Sequence, residues 1–352
     1  MALTPSLLTP VIPAAPPALR VTVVICTYHR PDPLARCLQA AGRLDYPNYT
    51  LCVVDNAAPT EQTRALAARH GADYLVAPVR GLSRARNVGL RHATGDLVAY
   101  LDDDMIPAVG WLRALAAEFG DERVMVATGP VLPLDLAGAD PAAQSAAIAG
   151  STLGARRFQL DRSSPHWFER ANFGGAGDGN MAFRRRVFSV FPGFDERLGR
   201  GVKITSGEEH YAFFSVLRLG HRLAYAPDAP VFHPVTPPTP EYRQRLRAEA
   251  LAYCGFLIRN EPRHAWRVVK FLAEGLLRRP RPWRTPDRGS PTRPPLYRRF
   301  SNRPPLPKGT AHPPHSKSLR YPLQTRRTDP NSESRHPQPH RRSQRSLARI
   351  KR

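Results

Sequence analysis

Three consecutive carboxylates, Asp102, Asp103 and Asp104, follow a run of apolar residues in GDLVAYLDDDMIP (95–107). At an effective dielectric near 20, two carboxylates ~5 Å apart repel by roughly 3 kcal/mol, so the cluster needs an offset. Extended backbone would send Asp102 and Asp104 to one side and Asp103 to the other. Paired hard oxygen ligands suit Mg²⁺ or Mn²⁺, commonly shared with substrate phosphates, and such an ion would neutralise the repulsion. The plainer alternative is a solvated acidic turn. Asp55, closing the run LCVVDN (51–56), has the chemistry to accept hydrogen bonds from a base or ribose edge; an Asx turn into the next helix serves it equally well. SRARN (83–87) adds Arg84, Arg86 and Asn87 just upstream of the triplet. One arginine suits a phosphate and Asn87 suits backbone or sugar, while Arg86 reads better as part of a solvated basic face.

These residues need elements that bring them together. VTVVICT (21–27), LCVVDN (51–56), DYLVA (73–77), LVAYL (97–101) and VMVATGPV (124–131) read as buried strands. Helices are expected over 31–41, 59–70 and 81–93 between them. This alternation predicts an α/β architecture with a parallel sheet and right-handed crossovers. Ligands in such sheets bind beyond the carboxyl ends of the strands, which collects CTYHR (26–30), Asp55 and the triplet on one rim. From 138 to 173 the pattern turns irregular. Helical stretches follow at 207–219 and about 240–277.

Composition narrows the class. Of the net charge of +23, residues 278–352 carry 21 Lys and Arg against 3 Asp and Glu, leaving +5 for residues 1–277. The high basicity therefore belongs to the end of the chain, whose 15 prolines preclude a core and predict disorder over 280–352. Out-of-frame reading of GC-rich DNA is a second account of that composition. Residues 1–19 read as a disordered lead, poor as a signal peptide. Four scattered cysteines without a CxxC pair predict reduced, buried thiols and a cytoplasmic protein. GxGxxG after the first strand, GxxxxGK[ST] and GxSxG are all absent, which removes dinucleotide, P-loop and nucleophile-elbow readings.

Five segments, in order, resemble glycosyltransferase family 2: VTVVICTYHRPDPLARCL, LCVVDNAAP, GLSRARNVGLRHATGDLVAYLDDDMIP, NMAFRRRVFSVFPGFDERLG and GEEHYAFFSVLRLGHRLAYAPDAPVFH. The resemblance covers about residues 20–235. It implies the GT-A fold: a Rossmann-like, mostly parallel sheet with a nucleotide-binding half (20–131) fused to an acceptor half (132–235), followed here by C-terminal helices (236–279). It also implies inverting transfer from a nucleotide-sugar donor (UDP-, GDP- or dTDP-linked) to a glycan, lipid-linked or small-molecule acceptor. Thr27, Tyr28 and Arg30 would line the base pocket with Asp55; Arg84, Asn87, Asp102 and Asp103 would approach ribose, phosphate and sugar. Asp102 and Asp104 would form the DxD pair for a divalent cation, joined by His233 as a metal ligand in some relatives. GDGNMAF (177–183), with Gly179 and Asn180, would border donor sugar and acceptor.

The family's Gly-Glu-Asp-x-Asp helix start appears as GEEHY (207–211). The catalytic base is then Glu209 in place of Asp, with Glu208 as the alternative; Tyr211 and Ser215 replace a later Asp and Arg. Acids at a helix start also suit the helix dipole without catalysis. Trp111 and Trp167 read mainly as packing residues, with Trp167 the better candidate for a sugar platform. RHAWRVVKFLAEGLLRR (263–279) is basic and amphipathic, so it either packs on the catalytic domain or lies on an anionic membrane; contact with the inner membrane face would favour an envelope acceptor. Two rival functions remain. A nucleotidyltransferase would carry a Gly-rich loop after the first strand, and CTYHRPD has no Gly. A polyanion-binding protein would act through the tail, which has no module for specific nucleic acid recognition.

Overall fold

The first apolar run forms β1 (Val21–Thr27), buried along all seven residues as a central parallel strand must be. In this computed structural model residues 19–57, 59–151, 153–174, 179–234 and 239–277 are described. The disorder expected before Leu19 and over 280–352 lies outside them. Proline opens α1 (Pro31–Ala41) at a position that needs no amide donor. β2 (Tyr49–Asn56), α2 (Glu61–Arg69), β3 (Asp73–Ala77), α3 (Leu82–His92) and β4 (Leu97–Asp102) complete the alternation. Next come β5 (Ile106–Pro107), α4 (Trp111–Ala117), β6 (Val124–Thr128), β7 (Val131–Pro133), α5 (Pro141–Gly150), β8 (Phe158–Leu160) and α6 (Trp167–Phe173). β9 (Asn180–Arg184), α7 (Glu208–Arg218), β10 (Arg222–Tyr225), β11 (Val231–His233), α8 (Pro240–Asn260) and α9 (Ala265–Leu277) end the described chain.

Eight strands make one sheet in the order β3-β2-β1-β4-β9-β6-β10-β8, and β5-β11-β7 form a second, small sheet. The order runs outward from β1 to β3, then reverses at β4. That reversal is a topological switch point, where the crossovers diverge and leave a crevice at the carboxyl ends. Register fixes what meets there: Cys26 pairs with Asp102, and Thr27 pairs with Asp55. Alternation along β1 sends Val24 to the side packed by α3, α6 and α7, and Val23 and Ile25 to the side packed by α1 and α4.

The sheet departs from the sequence reading in one important respect. β9 is antiparallel to both β4 and β6 and lies between them. NMAFR is too short and too closely followed by arginines to announce a strand, yet every residue of it is buried. The expected strand over 124–131 splits into β6 and β7 of different sheets. The stretch expected to be irregular holds α5, opened by the Asp140 cap and Pro141, and α6. The expected helix over 240–277 is two helices, interrupted near Pro262.

Candidate active site

Asp102, Asp103 and Asp104 leave the end of β4 into the switch-point crevice, and each is neutralised differently. Arg30, just before α1, donates to Asp103 Oδ1 at 2.8 Å and to Asp104 Oδ2 at 2.6 Å. The Thr27 hydroxyl donates to the other Asp103 oxygen at 2.7 Å. His233 Nε2, from the end of β11, stands 3.4 Å from Asp104 Oδ2. Burial alone would raise Asp104, but the hydrogen bonds and charges of His233 and Arg30 hold it down to about 2. Asp103 is pushed up to about 7, burial outweighing Thr27 and Arg30. Arg30 and Arg86 thus offset part of the repulsion within the cluster.

Asp102 is held by Arg86, and here the sequence reading fails. Arg86 does not lie on a solvated face: its side chain is 1% exposed. It donates to Asp102 Oδ1 at 3.1 Å, to Glu208 Oε1 at 3.2 Å and to Glu209 Oε1 at 2.6 Å. One guanidinium therefore joins the last residue of β4 to the first two residues of α7. Burial opposes its charge, but Glu209, Asp102 and Glu208 together raise its pKa above the ordinary arginine value. Burial raises Asp102 against the pull of Arg86, and raises Glu208 to about 7. The helical face of α3 carried the signal, because Arg86 lies three residues after Ser83 and three before Gly89, both buried.

Two glycines let these elements meet. Gly179, at φ +80°, precedes β9 opposite Asp102, and a Cβ there would lie 2.4 Å from an Asp102 carboxylate oxygen. Its amide donates to Glu209 Oε1 at 2.9 Å. Gly207, at φ +91°, precedes α7, where a Cβ would run into the Tyr253 ring of α8 at 2.2 Å. Glu209 is thus held through Oε1, by Arg86 and the Gly179 amide.

The remaining expected site residues divide. Asp55 is fully buried and accepts from Tyr74 Oη at 3.0 Å, while its Oδ1 has no hydrogen-bond partner among the described residues. Tyr28 lies beneath the Arg80 guanidinium, 4.6 Å from the ring centre. Asn87 is buried and turned away from the crevice, exchanging hydrogen bonds with the Phe194 backbone at 2.9 Å each way. Arg84 pairs with Glu196 at 3.3 Å. Asn180 lies inside the sheet, accepting from Trp111 Nε1 and donating to the carbonyls of Pro130 and Ala229. Trp167 stacks on Phe214 at 5.8 Å and is 8% exposed, so it packs the core rather than offering a sugar platform. Gly177 and Asp178 lie outside the described residues. Tyr74 is a site neighbour the sequence reading passed over, and Arg86 one it placed on a solvated face.

The donor set suits a cation that is mostly ligated by its substrate. Five carboxylates (Asp102, Asp103, Asp104, Glu208, Glu209) face two guanidiniums (Arg30, Arg86), which leaves net negative charge. Among the described residues no three His, Cys, Asp or Glu side chains are grouped to hold a metal alone. Mg²⁺-type ions are commonly bound by one or two carboxylates with phosphate oxygens completing the shell.

Residues 22–189 match the family described as Glycosyl transferase family 2. The chain is 30% identical over 240 residues to Pre-mycofactocin glycosyltransferase of Mycobacterium tuberculosis, covering 67% of this chain and 45% of that protein. It is 28% identical to Succinoglycan biosynthesis protein ExoM of Rhizobium meliloti, over 65% of this chain and 70% of that one. Among solved structures it resembles the mannosyltransferase PcManGT from Pyrobaculum calidifontis in complex with GDP-Man and Mn²⁺, with TM-score 0.51 and 22% identity, over 72% of this chain and 70% of that one. It also resembles S. aureus TarS 1–349 in complex with UDP, with TM-score 0.50 and 16% identity, over 73% and 71%. The mixed α/β sheet has the GT-A arrangement expected from the sequence. The chain thus spans less than half the length of the mycobacterial relative.

Proposed function

We propose, from the premise that this chain carries a glycosyl transferase family 2 domain across residues 22–189, that it is a sugar-transferring enzyme with a nucleotide diphosphate donor and an acceptor hydroxyl. The observation that carries this reading is the convergence of Asp102, Glu208 and Glu209 on Arg86 at the switch-point crevice. Transfer is with inversion, and Glu209 acts as base. Its Oε1 is fixed by Arg86 and the Gly179 amide, and its second oxygen would take the proton of an acceptor hydroxyl. Glu209 takes that hydroxyl's proton as the oxygen bonds to the anomeric carbon and the nucleoside diphosphate departs from the opposite face. Glu208 stands as the alternative base.

Asp102 and Asp104, as the DxD pair, with His233 beside them, would hold Mn²⁺ or Mg²⁺. When bound, such an ion supplies Lewis-acid stabilisation to the leaving diphosphate. Thr27 and Asp103 hold the rim under Arg30, and Tyr28 borders the base pocket. The unmatched Asp55 Oδ1 supports contact with a nucleobase or ribose of a UDP-, GDP- or dTDP-sugar. Arg84 and Asn87 act from behind, through the loop containing Phe194 and Glu196. The acceptor is a glycan, a lipid-linked saccharide or a small molecule of cell-envelope synthesis, reached from the cytoplasm. Among the described residues no helix is long and apolar enough to cross a membrane.

A panel of UDP-, GDP- and dTDP-sugars with Mn²⁺, read by nucleoside diphosphate release, tests this. Asp104→Ala should abolish metal-dependent turnover, and unchanged turnover would remove the metal assignment. Glu209→Gln should lose about 10²–10⁴-fold in kcat while still binding donor. Pyrophosphate release from a nucleoside triphosphate and a sugar 1-phosphate, with no diphosphate release from the sugar nucleotides, would assign a nucleotidyltransferase.

A further inference from the structure

The C-terminal helices α8 and α9 fold back to back along the body, and each has two very different faces. Inward, α8 buries Glu249, Tyr253, Phe256 and Leu257, and α9 buries Val268. Outward, Leu251 and Ile258 on α8 are 59% and 37% exposed, and Trp266 and Val269 on α9 are 60% and 54% exposed. Of nine large hydrophobic side chains exposed among the described residues, these four sit on one hairpin. The spacing 251/258 and 266/269 keeps each pair on its helix's outer side. The turn at 261–264 places Ile258 and Trp266 at the same end.

Charge is sorted the same way. Glu249 and Glu261 turn inward, where Arg200 reaches Glu249 at 2.6 Å and Arg218 reaches Glu261 at 3.0 Å. Outward, Arg247, Arg259, Arg263 and Lys270 are exposed, and their side chains make no ion pair or hydrogen bond among the described residues. Two other acids lie on the hairpin: Glu241 at the far start of α8, and half-buried Glu274 one turn beyond Lys270 on α9. The outer surface is thus an apolar strip with an exposed tryptophan and a cationic border.

We propose that this α8–α9 face docks on an anionic lipid bilayer. Tryptophan and aliphatic side chains enter the headgroup boundary while long basic side chains reach the lipid phosphates. A second copy of the chain is a poorer occupant, because a two-fold contact would set four cations against four. The consequence for chemistry rests on the transferase reading. Tyr253 of α8 packs against Gly207, one residue before Glu208. Docking would therefore hold the carboxylate-bearing start of α7 behind α8, about 10–12 Å from the lipid-facing side, within reach of a lipid-linked acceptor.

The basic residues after 277 would also bind anionic vesicles, so the test separates the two. Full-length protein is floated with phosphatidylcholine vesicles, with two-to-one phosphatidylcholine–phosphatidylglycerol vesicles, and with the latter at high salt, which screens purely ionic binding. Parent protein should float with the mixed vesicles and remain partly bound at high salt. Leu251→Ser/Trp266→Ser/Val269→Ser should bind at least tenfold more weakly with an unchanged melting temperature. Trp111 and Trp167 are buried, so a vesicle-induced blue shift should vanish in Trp266→Phe and persist in Trp283→Phe. Parent-like binding of the triple variant, or a blue shift that follows Trp283, would overturn the proposal. So would a dimer in sedimentation that the triple variant dissolves. Flotation needs no turnover, so its failure leaves the donor panel standing, and the converse holds.

Discussion

Arg86→Met is the sharpest probe of the carboxylate cluster. Methionine fills similar volume but removes the single cation between Asp102, Glu208 and Glu209. The two glutamate side chains are 9% and 8% exposed, so water does not replace it. Breaking a buried pair by removing one partner costs about 3–5 kcal/mol, which for a domain of this size lowers Tm by about 6–20 °C. Thermal unfolding followed by circular dichroism with chelator present reads this directly. The cost should also depend on pH. A carboxyl whose folded pKa lies above its unfolded value of about 4.3 binds more protons when folded. Its stability contribution is therefore greatest below that value and is lost as pH rises through the folded pKa. For Glu208 that window already reaches about 7 with Arg86 in place. Without Arg86 the folded pKa rises further, so the gap between parent and variant should widen from pH 6 to pH 8. Adding Glu208→Gln to the variant should recover part of the loss, and Arg86→Lys should fall between, since one ammonium cannot span three carboxylates. A Tm within about 2 °C of parent at pH 8, or an equal drop at both pH values, would refute the reasoning.

Gly179→Ala places a methyl carbon 2.4 Å from an Asp102 carboxylate oxygen at φ +80°; it should lower stability by about 1–3 kcal/mol in denaturant titration and cut donor turnover more severely than Asn180→Ala does, because only Gly179 touches the crevice. Trp167→Ala should cost about 3–5 kcal/mol by emptying the stack on Phe214, with donor KM unchanged in the fraction that folds. All four cysteines are buried, and burial pushes Cys52 up to about 12 and Cys254 up to about 11. Native protein at pH 8 should therefore leave a thiol reagent unreacted for minutes, and denatured protein should titrate four thiols; prompt native labelling would place a cysteine at the surface.

Much of the first part of the sheet, up to β4, was legible because its signals are local. VTVVICT and LVAYL are unbroken apolar runs, Pro31 marks a helix start, and strand–helix alternation puts the Asp triplet on the same rim as Asp55. What stayed hidden depends on partners distant in sequence. Arg86 looks like a surface cation until residues 208 and 209 fold onto it, 122 and 123 positions away. Asn87 and Asn180 look like ligand-facing amides, yet both spend their hydrogen bonds on backbone that only the tertiary fold brings near. β9 is five residues long and is a strand only because β4 and β6 each offer an unfilled edge. α5 has no buried residue, so no amphipathic stripe could betray it.

That inserted strand also governs how the protein comes off the ribosome. β4 meets β1 on one side and β9 on the other, with Leu101 registered against Asn180. When the nascent chain first exposes β4, its outer edge is an apolar row of open amides and carbonyls, the kind that recruits foreign strands. At roughly 5–20 residues per second the missing partner arrives about 4–16 s later. During that interval the half-made sheet is a client for chaperones, and a truncation ending near residue 131 would never leave that condition.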